Sequence, residues 1–221
     1  MNVSDYITKN PSVIIFDSNI GSYPNNAFVV SAYDESSSIA KYEWSKVYST
    51  LFNEEATANA NFDSALSRYL CTSSNAAYLY QKETQNLTTQ QQLSSKPTVL
   101  WAYYIDYGKD VGWDVGEECQ PKANYYCELA KQCSANLLAS SSGSISSAYI
   151  PGQRYMTNEE FLAFGKDASY WIYPGYNWNT VYNKSKDFLS QFASVKNNQV
   201  YDVRGSGDFA WFEQATAEFG M

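Results

Sequence analysis

An α/β fold, a three-layer sandwich around a mostly parallel sheet with a long helix ahead of it, is predicted by three features of the 221-residue sequence. After Pro97, short apolar runs alternate with helix-length amphipathic segments. Residues 36–70 contain neither Gly nor Pro. Hydrophobic residues make up 44% of the chain and charged residues 17%, enough apolar side chains for a substantial core.

The elements follow in order. Residues 13–17 and 27–33 are apolar runs separated by Gly21, Pro24 and two Asn, which reads as two strands with an irregular connection. Over 36–70, Trp44, Val47, Tyr48, Leu51, Phe52, Phe62, Ala65, Leu66 and Tyr69 recur at steps of three and four, predicting one helix about 50 Å long. A polar helical stretch over 75–93 leads into the linker Ser94-Ser95-Lys96-Pro97. Three regions result: 1–35, 36–95 and 96–221. In the last, strands are predicted at 98–105, 145–150, 169–173 and 199–203. Helices are predicted at 124–139, from the capping box Thr157-Asn158-Glu159-Glu160 to about 164, at 179–192 and at 208–218. Residues 106–120 read as a loop rich in Gly, Asp and Trp.

Ligands of open α/β sheets sit beyond the carboxyl ends of the strands. That rule nominates Tyr103, Tyr104, Tyr107 and Trp113, then Arg154 and Tyr155, then Tyr176 and Trp178, then Arg204, Asp208 and Trp211. Tyr, Phe and Trp together form 17% of the chain, a load suited to stacking on large ligands, sugars or partners. Tyr103 and Tyr104 are neighbours on a strand, so one of them must face the core. Arg154 is suited to clamp a carboxylate or phosphate, or to pair with Glu159 or Glu160 on the surface. Asp106, Asp110, Asp114, Glu117 and Glu118 crowd one loop, but their order matches no EF-hand, and a solvated acidic loop is preferred to a metal site.

Composition excludes several functions. A formal charge of −8 repels phosphate backbones, so nucleic acid is not an expected partner. No apolar run approaches the roughly 18 residues of a membrane span. The absence of histidine removes His-based triads and HExxH zinc sites, and no cofactor is implied. The cysteines, Cys71, Cys119, Cys127 and Cys133, are even in number and lack CxxC spacing, which favours disulfides and an oxidising compartment. If 124–139 is helical, Cys127 and Cys133 lie about 9 Å apart along its axis, too far to bridge. Cys119 then joins Cys127 or Cys133 and Cys71 takes the other; Cys119–Cys127 is the preferred pair, with four reduced thiols as the alternative. Sequons at Asn2, Asn86 and Asn183 are compatible with a secreted glycoprotein. No signal-peptide core follows Met1, so the chain is mature, internally excised or cytosolic, and a piece of something longer is the preferred expectation.

Several motifs carry a family resemblance. The segment Ala210-Trp211-Phe212-Glu213-Gln214-Ala215 is similar to D-W-F-E-R-A, and Met156-Thr157-Asn158-Glu159-Glu160-Phe161-Leu162-Ala163 to V-S-R-E-Q-V-L-A. Lys166-Asp167-Ala168-Ser169-Tyr170-Trp171-Ile172 takes the place of a P-D-A-I-V-I strand, and 193–201 is similar to A-V-K-N-G-R-V-Y. Together with a strand and long helix ahead of an α/β lobe, these resemble the periplasmic substrate-binding proteins for cobalamin and ferric siderophores, over about residues 13–221. The resemblance implies an interlobe helix and a second lobe, with most of the first lobe lacking. It implies that Tyr103 faces the ligand, that the family's second-lobe tryptophan is replaced at Gln153 or Arg154, and that an anionic or oxygen-rich ligand is favoured. The family's pocket aspartate falls on Ala210, two residues after Asp208. Glu159 matches the glutamate that engages an arginine of the membrane permease.

The expected function is therefore capture of an iron siderophore, cobalamin or similar macrocycle in the periplasm or at the cell surface, with a permease or surface receptor as partner and no catalysis. The alternative class is an extracellular carbohydrate-active hydrolase using paired carboxylates and aromatic stacking.

Overall fold

The computed structural model describes residues 37–119, 125–175 and 177–202, with positions 9, 15–17, 27–29, 32 and 35. Two short parallel strands, β1 (Ile15–Asp17) and β2 (Ala27–Val29), come first.

Helix α1 (Ser38–Ser49) starts at Ser37, whose side chain accepts from the Ala40 N–H at 3.0 Å. The expected single rod over 36–70 ends here. Residues 50–54 turn the chain, with Asn53 at φ +54°, a left-handed conformation that Asn tolerates better than most residues. Helix α2 (Glu55–Thr84) then folds back on α1, with the Phe62 ring stacked on Tyr42 at 6.0 Å and Lys46 Nζ 3.7 Å above it. The apolar spacing could not separate one rod from two packed helices, because Leu51 and Phe52 continue the three-four pattern through the turn. Phe52 is 67% exposed there. At 30 residues, about 45 Å, α2 is still the long helix of the fold, and it absorbs most of the polar stretch assigned to 75–93. Helix α3 (Thr89–Ser95) begins at a capping box between Thr88 and Gln91 and folds against α2, where the Tyr80 hydroxyl donates to the Gln92 carbonyl.

Strand β3 (Thr98–Tyr107) is the spine of the sheet. Its first residues pair in parallel with β5 (Asn136–Leu138) on one side and β8 (Tyr170–Tyr173) on the other. Strand β8 pairs in parallel with β9 (Val200–Asp202). From Ala102 onward β3 pairs antiparallel with β4 (Asp110–Val115), so 106–120 contains a β-hairpin where a loop was expected. The turn is two residues, Gly108-Lys109; Gly108 at φ +60° is the first central residue, as a type II′ turn requires. Strands β6 (Ile145–Ser146) and β7 (Arg154–Tyr155) form a second small hairpin, shorter than the strand predicted at 145–150. Met156 bridges to Trp113 on β4.

Helices cover both faces, giving the predicted three layers. On one face α4 (Tyr125–Gln132) lies against Trp101, which meets Tyr125 edge-on at 5.5 Å and Tyr126 stacked at 5.4 Å. On the other lie α5 (Asn158–Gly165), α6 (Trp178–Lys184), α7 (Lys186–Leu189) and α8 (Ala193–Lys196), so the helix predicted at 179–192 is two short pieces. Helix α4 is shorter than expected because Ser134 adopts φ +54° and the chain turns into β5. The core is aromatic: Trp113 stacks on Phe161 at 4.2 Å, and the fully buried Trp171 packs on both Phe161 and Phe192. Among the described residues no helix is long and apolar enough to cross a membrane. The helix predicted at 208–218 lies outside the described residues.

The helical segment is pinned to the sheet by one carboxylate. Glu128 on α4 accepts from the Ser38 N–H in the first turn of α1 and from the Tyr69 hydroxyl on α2, both at 2.9 Å. A turn further along each helix, Ser73 donates to Gln132. Cys119 and Cys127 form the preferred disulfide. Cys71 and Cys133 do not form the second: both are free thiols. Cys71 lies midway between Tyr69 and Ser73, half a turn away from the helix face that meets α4. Replacing Glu128 by Ala strands one donor on each of α1 and α2, and thermal or urea denaturation is expected to show a loss of about 1–3 kcal/mol, with a smaller loss for Glu128→Gln.

Candidate functional site

Strand parity sorts the nominated tyrosines. Leu100, Ala102 and Tyr104 point to the α5–α8 side, where the Tyr104 ring meets Trp113 edge-on at 5.1 Å. Tyr104 is further held by Tyr173, whose hydroxyl accepts from its N–H at 3.2 Å, and by Asn177, which donates to its carbonyl at 3.3 Å. Trp101 and Tyr103 point to the opposite face.

There Tyr103 lies across from Asp114 in the β3–β4 register, and its hydroxyl hydrogen-bonds the Asp114 carboxylate. Gln153, just before β7, donates to the same carboxylate from Nε2 at 2.9 Å. The loop after β8 brings Gly175 against Tyr103. Three half-buried polar side chains thus converge at the carboxyl end of the parallel strands, where ligands of such sheets bind. Burial pushes the Asp114 carboxyl up to about 6, against the two hydrogen bonds that favour its charged form and with Glu117 adding to the rise. The cluster offers a hydroxyl, an amide and a carboxyl able to hold or release a proton near neutrality.

A second carboxylate organises the adjoining hairpin. Asp110 is 3% exposed and accepts from Ser147 Oγ at 2.5 Å, the Ala148 N–H at 2.6 Å and the Tyr155 hydroxyl at 3.1 Å. Burial alone would raise its carboxyl, but these donors outweigh it and hold it below the usual range. Tyr155 lies over Gly112, where any Cβ would come within 3.0 Å of both the Tyr155 Cβ and the Met156 carbonyl.

Several nominated residues take other roles. Trp113 is 1% exposed and in the core, its indole N–H donating to Asn158 at 2.9 Å. It alternates inward on a strand instead of projecting from a loop. Tyr155 is likewise buried, in the Asp110 network. Trp178 packs edge-on against Trp171 at 5.4 Å. Arg154 is exposed and donates to the Gly143 carbonyl at 2.7 Å and to Ser146 at 3.2 Å, so it ties its own hairpin and is not paired with Glu159 or Glu160. Glu160 completes the Thr157 capping box and accepts from Ser144. Glu159 is exposed on the first turn of α5. Tyr176, Arg204, Asp208 and Trp211 lie outside the described residues.

Asp114, expected in a solvated acidic loop, lies half-buried on β4, and Gln153, expected as the replacement of a family tryptophan, donates to it. The D-V-G-W-D-V alternation after Gly108 was the signal for both the hairpin and the inward Asp114. Among the described residues no group of three or more Cys, Asp or Glu is placed to hold a metal ion. Asp110 and Asp114, four residues apart on an extended strand, are separated by about 13 Å, beyond the 5–9.5 Å that glycosidase carboxylates use. An open groove of about 540 Å³ beside α5, lined by Ser142, Gly143, Ser144, Met156, Glu160, Ala163 and Phe164, contains none of the converging residues.

Two outcomes follow from this placement. Trp113→Ala is expected to cost about 3–5 kcal/mol of stability in a chemical denaturation series. Because the folded Asp114 binds its proton more tightly than the unfolded chain, wild-type stability falls as pH rises from about 4 through about 6. Asp114→Asn removes that fall, so the two melting curves should diverge over this window, with the variant gaining relative stability towards pH 7.

No protein-family model matches the chain, and no curated protein matches it in sequence. Solved structures do match it in fold. IsdE from Staphylococcus aureus, complexed with heme, is 17% identical with a TM-score of 0.50, over 88% of this chain and 65% of that one. FhuD2 from Staphylococcus aureus with bound ferrioxamine B is 13% identical with a TM-score of 0.50, over 94% and 71%. An ABC transporter solute-binding protein from Sulfurospirillum deleyianum is 15% identical with a TM-score of 0.51, over 98% and 61%. The chain thus spans about two thirds of the length of these structures. Its fold is that of a class III periplasmic binding protein.

Proposed function

We propose that the chain captures a small ligand, an iron chelate or a similar macrocycle, for uptake through an ABC permease. The observation that carries this reading is the convergence of Tyr103, Asp114 and Gln153 at the carboxyl end of the parallel strands, in a fold shared with proteins solved with heme and with ferrioxamine B. Residues 96–221 act as the ligand-binding second lobe, 36–95 as the helical connection between lobes, and 1–35 as the end of the first lobe. Recognition is non-covalent: the ligand displaces water from the three polar groups and closure of the lobes buries it. Glu159 is exposed on α5 and serves as a contact for the permease. The Cys119–Cys127 disulfide supports a periplasmic or extracellular setting.

Tryptophan fluorescence of the 221-residue chain, titrated with ferrioxamine B, heme and cyanocobalamin, tests the reading. At least one probe is expected to quench emission saturably and to be recovered unchanged. Tyr103→Phe and Gln153→Ala should each weaken it about three- to tenfold. No saturable binding by any probe, or release of sugars from an oligosaccharide substrate, overturns the proposal.

A further inference from the structure

Helices α2 and α3 meet at a turn that ligand capture does not use. Gln85, Asn86, Leu87 and Thr88 are all exposed there, and Asn86-Leu87-Thr88 is an acceptor sequon. We propose that Asn86 carries an N-linked glycan, and that the glycan covers the exposed Leu79 and Leu87 beside it. The inference goes beyond the capture reading and shares with it only the oxidising compartment that the Cys119–Cys127 disulfide indicates.

The turn is braced by groups other than the Asn86 side chain. The Leu87 N–H donates to the Thr84 carbonyl at 2.9 Å, and the Gln92 side-chain amide on α3 donates to the carbonyls of Thr84 at 3.0 Å and Leu87 at 3.3 Å. Thr88 is the N-cap of α3, which accounts for a hydroxyl at 88 but not for an asparagine at 86. Of the other sequons, Asn183 lies inside α6, where residues two apart do not face each other, and Asn2 lies outside the described residues. Apolar exposure is an independent observation. Gln85 keeps right-handed helical dihedrals, φ −56° and ψ −26°, so Asn86 leaves α2 nearly in line with Leu79, about 10 Å earlier along the axis. Leu79 is 56% and Leu87 37% exposed, and a sugar chain reaching back along α2 shields both from other apolar surfaces. The position also spares the candidate site. Helix α3 leads into the amino end of β3, and its Leu93 carbonyl accepts from Asn136 at the start of β5 at 3.5 Å, so the glycan and the Tyr103 cluster lie at opposite ends of the parallel strands.

The transferred group comes from a lipid-linked oligosaccharide diphosphate. Asn86 Nδ2 bonds to the anomeric carbon of the first sugar, and the bond from that carbon to the diphosphate oxygen breaks. The lipid diphosphate leaves with the electron pair, and the amide gives one proton to a base of the transferring enzyme. The test secretes the full 221-residue chain from yeast behind a cleavable leader. Peptide-N-glycosidase F is expected to lower the mass of the secreted protein and to convert Asn86 to Asp in the peptide that contains it, both read by mass spectrometry. Asn86→Gln should remove that step, and so should Thr88→Asn, which keeps a good N-cap while breaking the sequon. Asn86→Gln is also expected to raise self-association in sedimentation velocity, with Leu79→Ser in the same chain reversing the rise. Its affinity for the tightest-binding of ferrioxamine B, heme and cyanocobalamin should stay within about twofold of the glycosylated chain. An unmodified Asn86 in the secreted, disulfide-bonded protein overturns the inference, whether or not Asn183 is modified. Equal self-association with and without the glycan overturns the shielding role. Failure of every ligand probe to bind overturns the capture reading alone, since the glycan is read by mass.

Discussion

Strand β3 is paired in two opposite senses along its length, and that change of partner governs the rest of the lobe. Its first residues lie between parallel neighbours, β5 and β8, while its last six pair antiparallel with β4. The changeover falls at Ala102, just past the last residue that β8 reaches. A buried carbonyl there needs a donor, and the Trp171 indole N–H supplies it at 2.9 Å. The same ring is clamped by Phe161, Phe192 and Trp178, so the hydrogen bond and the aromatic core hold one another in place. With the register set, strand alternation sends Tyr104 into the core and leaves Tyr103 beside Asp114.

The helical segment ahead of the sheet obeys a different constraint. Two helices that fold back on each other bury little in the α1–α2 hairpin, where Phe62 and Ala65 are the buried apolar residues. Attachment to the lobe rests instead on polar groups: one Glu128 carboxylate serves an N–H of α1 and a hydroxyl of α2. A charged acceptor in the first turn of a helix also opposes the positive end of its dipole. The hairpin tip and the 147–150 turn are joined by the same means, through Asp110.

Much of the fold was legible in the chain. The boundary at Pro97, the strands near 98–105, 169–173 and 199–203, and the capping box at Thr157 rest on local signals, and the structure has strands and a helix at each. The candidate site was legible in part: Tyr103 was expected on its strand and lies there beside Asp114, but Trp113 and Tyr155 read as loop aromatics and are buried. The reason is visible at Gly112: a glycine between two aspartates depresses strand propensity, and that glycine is present because Tyr155 occupies the volume a side chain would need. Nothing near residue 112 in the sequence announces a tyrosine 43 positions later.

The sequence by itself determined the α/β class, most of the alternation of strands and helices after Pro97 and the exclusion of histidine-based chemistry. All of these follow from composition or from short-range periodicity. Tertiary structure alone decided that the helix over 36–70 is two, that β4 exists, and that Asp114 and Gln153 meet at Tyr103. Periodicity records that a face is buried without recording against what, and a turn such as Asn53 leaves the apolar spacing on either side unchanged. Which faces meet is settled only when distant segments compete for the same volume.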